Sequence, residues 1–146
     1  VATFPFAVVS PERRAFEGEV TSVSLRSAGG DIGFLAGHVP FIGVVRVSVC
    51  EIVPGSGEPI RMAVHGGFVE VAPDGTVTLL ADVVELPEEI DVARAQAAKD
   101  RAMVATGTED DTEAEDALAR AEVRLEVAGV TGATTPTGSA RSGSAG

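Results

Sequence analysis

"VVRVSVCEIV", residues 44–53, alternates: Val45, Val47 and Val49 interleave with Arg46, Ser48 and Cys50. A period of two is the spacing of a β-strand with one packed face, because successive side chains point to opposite sides of the sheet. The same spacing recurs on both sides of this stretch, in Phe4, Phe6 and Val8 of "TFPFAVVS", in Val23 and Leu25 of "EVTSVSLRS", and in Ile60, Met62 and Val64. Pro11 stops the first of these strands, and "GSG" (55–57) and "PDG" (73–75) are hairpin signals, since Gly tolerates positive φ and Asp-Gly suits a tight turn. Residues 1–86 therefore read as an antiparallel β-sandwich or flattened barrel of about eight to ten short strands.

The pattern changes after Val84. "ELPEEID" (85–91) sets Pro87 and three acids ahead of the alanine-rich run "IDVARAQAAKDRA" (90–102), an arrangement that suits a helix start, with Asp91 as its N-cap. This first helix runs to about Val104, "TGTEDD" (106–111) is a polar loop, and a second helix opens at Thr112, whose spacing to Glu115 is that of a capping box. Ala114, Ala117, Leu118, Ala121, Leu125 and Ala128 share one helical face. The chain is thus mainly β with α: a sandwich over 1–86, a two-helix antiparallel hairpin over 87–130, and a tail over 131–146 expected to be disordered because it lacks large apolar residues. An alanine face buries little area, so the hairpin docks weakly and is suited to leave its site.

Composition narrows the function. Eleven Lys+Arg against 22 Asp+Glu, a formal net charge of -11, argues against nucleic acid and anionic lipid as partners, since both are held by basic patches. The single Cys50 forms no internal disulfide and suits a reducing compartment, where it reads as a small core residue. No apolar run reaches the length of a membrane span and no leader pattern opens the chain, so a soluble, cytoplasmic protein without membrane insertion is expected. His38 and His65 have no nucleophile motif beside them, and one Cys with two separated His gives no metal-ligand spacing, so neither a catalytic set nor a metal site is read.

Two stretches carry the remaining candidates. "GGDIGFLAGHVPF" (29–41) lacks both phosphate-loop spacings and reads as a glycine-rich turn between strands or as a surface loop that meets a partner. The helical arginines are the second. Arg94 has Asp91 three residues before it, Arg101 has no carboxylate at helical spacing, and Arg124 has Arg120 four residues before it. They are either solvated, or the folded hairpin gathers Arg94 and Arg101 with Arg120 and Arg124 into an anion pocket.

"DIGFLAGHVPF", "GGFVEVAPDGTVTLLAD" and "EEIDVARAQAAKDRA", in this order, resemble the epsilon subunit of bacterial F-type ATP synthase over residues 4–128. The resemblance implies a non-catalytic central-stalk subunit with no required cofactor. Its implied partners are the gamma subunit, the c-ring and, with the hairpin extended, the alpha and beta catalytic subunits, at the cytoplasmic face of the bacterial plasma membrane. Asp31, Gly33, Gly37, His38 and Pro40 match the loop that meets the c-ring and gamma, although Ala36 stands where the family often has proline. "IDVARA" and "RAEVRL" match the motifs by which some members bind ATP as a regulatory ligand, which implies a pocket of Glu85, Ile90, Asp91, Arg94, Arg101, Arg120 and Arg124. ATP would stabilise the folded hairpin, and its absence would let the helices extend and inhibit hydrolysis. The competing reading is a free-standing nucleotide-sensing β-sandwich module, which predicts ATP binding without a stalk partner.

Overall fold

The computed structural model describes residues 2–27, 29–105 and 111–129. In chain order the elements are β1 (Phe4–Val9), β2 (Arg14–Ser27), β3 (Gly30–Leu35), β4 (Phe41–Pro54), β5 (Ile60–Val71), β6 (Val77–Ala81), β7 (Val84–Glu85), a single 3-10 turn (Pro87–Glu89), α1 (Val92–Ala105) and α2 (Asp111–Val127). Seven strands form among the described residues, fewer than the eight to ten that the turn spacing predicts, because β2, β4 and β5 run 14, 14 and 12 residues, and β2 and β5 change neighbours along their length. One edge of β2 pairs first with β1 and then with β3, and one edge of β5 pairs with β7 and then β6. The parallel pairing of β1 with β6, together with β1 against β2, closes β1-β6-β5-β4-β2 into a ring. Closure leaves few unpaired backbone edges. Phe6, Phe34, Ile52, Met62 and Leu79 fill the interior.

The alternation that identifies β4 and β5 as strands does not hold one face throughout. In β5, Met62 and Val64 face the core before the Gly66–Gly67 pair, and Val69 and Val71 face it afterwards. In β4, Val45 is in the core but Val47 and Val49 are only half-buried, and Ser48, Cys50 and Ile52 are the residues that turn inward. The change occurs at one level, since Val45 pairs with Gly67 and Val47 with His65. Gly66 and Gly67 have φ of 86° and 141°, values that L side chains rarely adopt. A Cβ on Gly67 would lie 2.1 Å from the Leu80 carbonyl oxygen. Cys50 is fully buried, as its reading as a core residue requires, and burial pushes its thiol up to about 12.

The hairpin packs on β4 and β5 through α2. Asp91 caps α1, its Oδ1 accepting the Arg94 amide at 3.1 Å. The second helix begins at Asp111, so Thr112 lies inside the first turn and is not the cap, a shift within the usual fraying of helix ends. Ala114, Ala121 and Leu125 are buried on the face the sequence indicates, joined by Val127, with Ala117, Leu118 and Ala128 half-buried. On α1 the buried face is Ala95, Lys99 and Ala102. Residues 106–110 of the expected polar loop, and the expected tail from 131, lie outside the described residues.

Gly67→Ala is expected to lower the unfolding free energy by about 3 kcal/mol, because the backbone itself must shift. Gly57→Ala, also at positive φ but with open space around it, is expected to cost about 1 kcal/mol. Urea denaturation of the two variants compares the close approach with the dihedral alone.

Candidate functional site at the sandwich and hairpin junction

The chain leaves the sandwich through β7 and the 3-10 turn, and this short path fixes where the acids stand. Glu89 accepts the Leu86 amide at 2.9 Å and receives Arg13 from the β1–β2 connection, and those two interactions hold its carboxyl down to about 2. The neck of the hairpin is thereby tied to the sandwich. Glu85, the last residue of β7, receives two donors on one oxygen: His65 Nε2 from β5 and Arg124 Nε from α2, each 2.8 Å from Oε1. Burial pushes the Glu85 carboxyl up, but the bonds from Arg124 and His65 outweigh it and hold the group below the ordinary carboxylate range. One further ion pair, Arg61 of β5 to Glu126 at 3.1 Å, ties α2 to the sandwich.

Beside Glu85 lies a cavity of about 230 Å³ lined by Glu85, Glu89, Asp91, Arg94, Ala95, Ala98, Arg101 and Arg124. Five of the seven residues of the expected pocket meet here: Glu85, Asp91, Arg94, Arg101 and Arg124. Ile90 closes the 3-10 turn and does not line the cavity. Arg120 pairs with Glu113 of its own helix at 3.5 Å and is likewise outside the lining. The three acids are engaged, Glu89 by Arg13, Glu85 by Arg124 and His65, and Asp91 by the helix cap. Arg94 and Arg101 make no ion pair among the described residues, so the cavity holds two guanidinium groups with donors to offer. Guanidinium donors of this kind suit an anion.

A larger cavity of about 460 Å³ lies between the β2–β3 hairpin and the far end of α2, lined among others by Arg26, Asp31, Val47, Val49, Val123 and Glu126. Its Arg26 and Asp31 neutralise each other at 3.0 Å. No convergent set of unpaired charges lines it, and the smaller cavity carries the chemistry. Among the described residues no group of three or more His, Cys, Asp or Glu is placed to hold a metal ion, and no helix is long and apolar enough to cross a membrane.

The second set of sequence candidates does not form one cluster. Asp31 and Gly33 lie on β3 and not in a loop, whereas Gly37, His38 and Pro40 lie in the connection to β4. A six-residue strand is about 20 Å long, so Asp31 and His38 stand at opposite ends of β3. Gly37 takes a φ of 87° in this turn. The His38 ring packs 4.9 Å from Phe34 and 6.0 Å from Phe41, with Nδ1 2.8 Å from the Val39 carbonyl. The neighbouring outer surface is apolar: Val44, Phe68 and Leu80 are about half exposed and sit side by side across β4, β5 and β6, with Ile42 at 71%. Sequence reasoning missed this stripe and also His65. The signal for both was present in "HGGF", a polar residue ending an apolar run just before two glycines.

Comparison with known proteins matches residues 3–87 to the family model "ATP synthase, Delta/Epsilon chain, beta-sandwich domain". The chain is 42% identical over 127 residues to the ATP synthase epsilon chain of Halalkalibacterium halodurans, covering 84% of this chain and 94% of that one. It is 42% identical over 122 residues to the epsilon chain of Streptomyces coelicolor, covering 84% and 92%. Among solved structures, a chain of the Euglena gracilis mitochondrial ATP synthase (OSCP/F1/c-ring) aligns with a TM-score of 0.75 at 23% identity, covering 88% of this chain and 82% of that one. A chain of the Tetrahymena thermophila central stalk and c-ring aligns at 0.59 and 10% identity, covering 87% and 97%. At these identities the structural matches speak for the fold.

Arg124→Ala is expected to loosen α2 by about 2 kcal/mol, a roughly thirtyfold loss of amide protection, since a charge-assisted bond is removed. Arg120→Ala, which breaks a contact within the helix, is expected to change protection less than about threefold. Hydrogen exchange resolved to α2 peptides reads both.

Proposed function

The chain belongs to the ATP synthase epsilon-chain family and is a non-catalytic subunit; from that premise we propose that it serves in the central stalk as a rotor subunit whose hairpin is a nucleotide-set brake. The observation that carries the regulatory part is the cavity in which Arg94 and Arg101 of α1 meet Arg124 of α2. A polyphosphate that bridges the two helices is bound only when they are folded together. ATP therefore has differential affinity for the compact hairpin, which is the requirement for a ligand to shift a conformational population. Without it, the weakly packed helices are released to reach the alpha and beta subunits and oppose hydrolysis. At about 230 Å³ the cavity is below the usual 300–1,000 Å³ of a small-molecule site, so it seats the phosphates and leaves part of the nucleotide outside.

The coupling part rests on the sandwich. The Val44, Phe68 and Leu80 stripe, continued by Ile42, is an apolar surface suited to the gamma subunit, and the exposed Arg26–Asp31 pair at the other end of β3 is a polar surface suited to the polar loops of the c-ring. The 42% identity to bacterial ATP synthase epsilon chains supports a place in that complex, peripheral at the cytoplasmic face of the membrane. The exposed stripe also counts against a free-standing nucleotide sensor, which has no use for it.

Isothermal calorimetry with ATP on the full chain tests the brake. Saturable heat is expected, with Arg94→Ala and Arg101→Ala each weakening affinity about tenfold, the worth of one charge-assisted contact. Absence of heat up to millimolar ATP, or affinity indifferent to both arginines, would remove the nucleotide from the mechanism. For the rotor contact, Phe68→Asp is expected to weaken association with the gamma subunit by at least about tenfold, as for loss of one large buried side chain. Co-purification of the two chains at graded concentrations measures it.

A further inference from the structure

We propose that His65 is the positioning residue of the hairpin dock: from β5 it holds Glu85 for Arg124, and it does so in its neutral form, so that acidification frees the hairpin. The inference rests on the reading of the hairpin as releasable and is independent of its nucleotide affinity.

Glu85 Oε1 lies 2.8 Å from His65 Nε2 and 2.8 Å from Arg124 Nε. An ionised carboxylate only accepts hydrogen bonds, so the imidazole must be the donor and its proton sits on Nε2. Nδ1 then carries a bare lone pair, and it is buried with no partner among the described residues. A second proton would place an N–H at Nδ1 with nothing to receive it, a cost paid only by the cationic ring. The charged groups facing the imidazole are Glu85 from β7 and Arg124 and Arg120 from α2, while β4 presents Val47 opposite it. Burial pushes His65 below its ordinary pKa; the Glu85 bond works against that, and the two guanidinium groups add to the lowering.

The sign of the linkage follows from which of these partners leaves. β7 pairs with β5, so Glu85 stays beside His65 whether or not the hairpin is docked, and its effect largely cancels between the two states. Arg124, Arg120 and part of the burial depart with α2. The released state therefore binds a proton more readily than the docked one. Docking is complete well above the released-state value of His65, which the retained Glu85 bond holds at or above the ordinary histidine range, and it weakens as pH falls through that value, by at most about tenfold per pH unit for one linked proton.

The test is amide hydrogen exchange of α2 peptides in the full chain from pH 5.5 to 8.0, with rates corrected for their intrinsic pH dependence. Wild-type protection is expected to level off toward pH 8.0 and to fall progressively toward pH 5.5. His65→Gln keeps an N–H for Glu85 but does not titrate, and it is expected to retain protection at pH 7.5 with a flat profile. His65→Ala is expected to lose α2 protection at every pH while β6 stays protected; the wild-type and Gln profiles decide the matter even if that variant folds poorly. A flat wild-type profile, or a Gln variant that still follows pH as wild type does, overturns the proposal. If Arg124→Ala nonetheless strips α2 of protection, the releasable hairpin survives that failure. If Arg124→Ala leaves protection unchanged, the dock itself is disproved along with the role of His65.

Discussion

Everything that distinguishes the two outer surfaces of this sandwich depends on the close approach of Gly67 to the Leu80 carbonyl. No side chain fits there, and the positive φ of Gly66 and Gly67 turns β5 over at this level, with β4 following because the two strands are paired along their whole contact. Below the turn, Met62 and Val64 point inward, so Arg61, Ala63 and His65 face α2. Above it the parity is reversed, and Phe68 faces outward beside Val44 and Leu80. One backbone feature thus presents polar contacts to the hairpin on one stretch of strand and an apolar stripe to solvent on the next. A straight, regularly alternating β5 would give either the dock or the stripe, and not both.

The same feature explains how far the sequence is legible. Strand existence, the β-to-α change after Val84 and the Asp91 cap are local properties, set by side-chain period and by capping chemistry within a few residues, and they are readable without the fold. The inward face of "VVRVSVCEIV" is not local. Its change of side between Val45 and Ser48 is imposed by glycines some twenty positions later in the chain, on the paired strand. For the same reason His65 reads as an unremarkable strand histidine until β7 places Glu85 beside it. Arg120 and Arg124 look equivalent in "RAEVRL", yet four residues make just over one helical turn, and the small residual rotation together with the distance along the axis gives one Glu85 and the other Glu113. Asp31 and His38 look like neighbours in a glycine-rich loop because β3, which carries Asp31, also contains Gly30 and Gly33, which hide its β character.

Docking of the hairpin is a balance of small terms. The buried faces are largely alanine, with Leu125 and Val127 the larger aliphatic residues covered on α2 among the described residues. Alanine removes little apolar area from water, so burial alone holds the helices loosely. The specific contacts to the sandwich are Arg61–Glu126, with both side chains well exposed, and Arg124–Glu85, which is mostly covered. Screening leaves the first with little weight, and the second carries the geometry. Its carboxylate belongs to the strand that ends the sandwich and its guanidinium to the second helix of the hairpin, so this one pair joins the two parts.

That division of partners determines what an anion in the cavity does. Arg94 and Arg101 belong to α1, and among the described residues neither is committed to a carboxylate. Arg124 belongs to α2 and is already committed to Glu85. An anion that contacts only α1 finds its donors equally in the docked and released hairpin and shifts nothing, however tightly it binds. Discrimination requires contact with Arg124 as well, and the geometry allows it without breaking the dock, because only Nε is given to Glu85 and the two terminal nitrogens of the guanidinium remain able to donate. A ligand with two or more phosphates, were one bound, would therefore add a bridge between helices to the clamp between α2 and the sandwich. The two act in the same direction because they share one arginine.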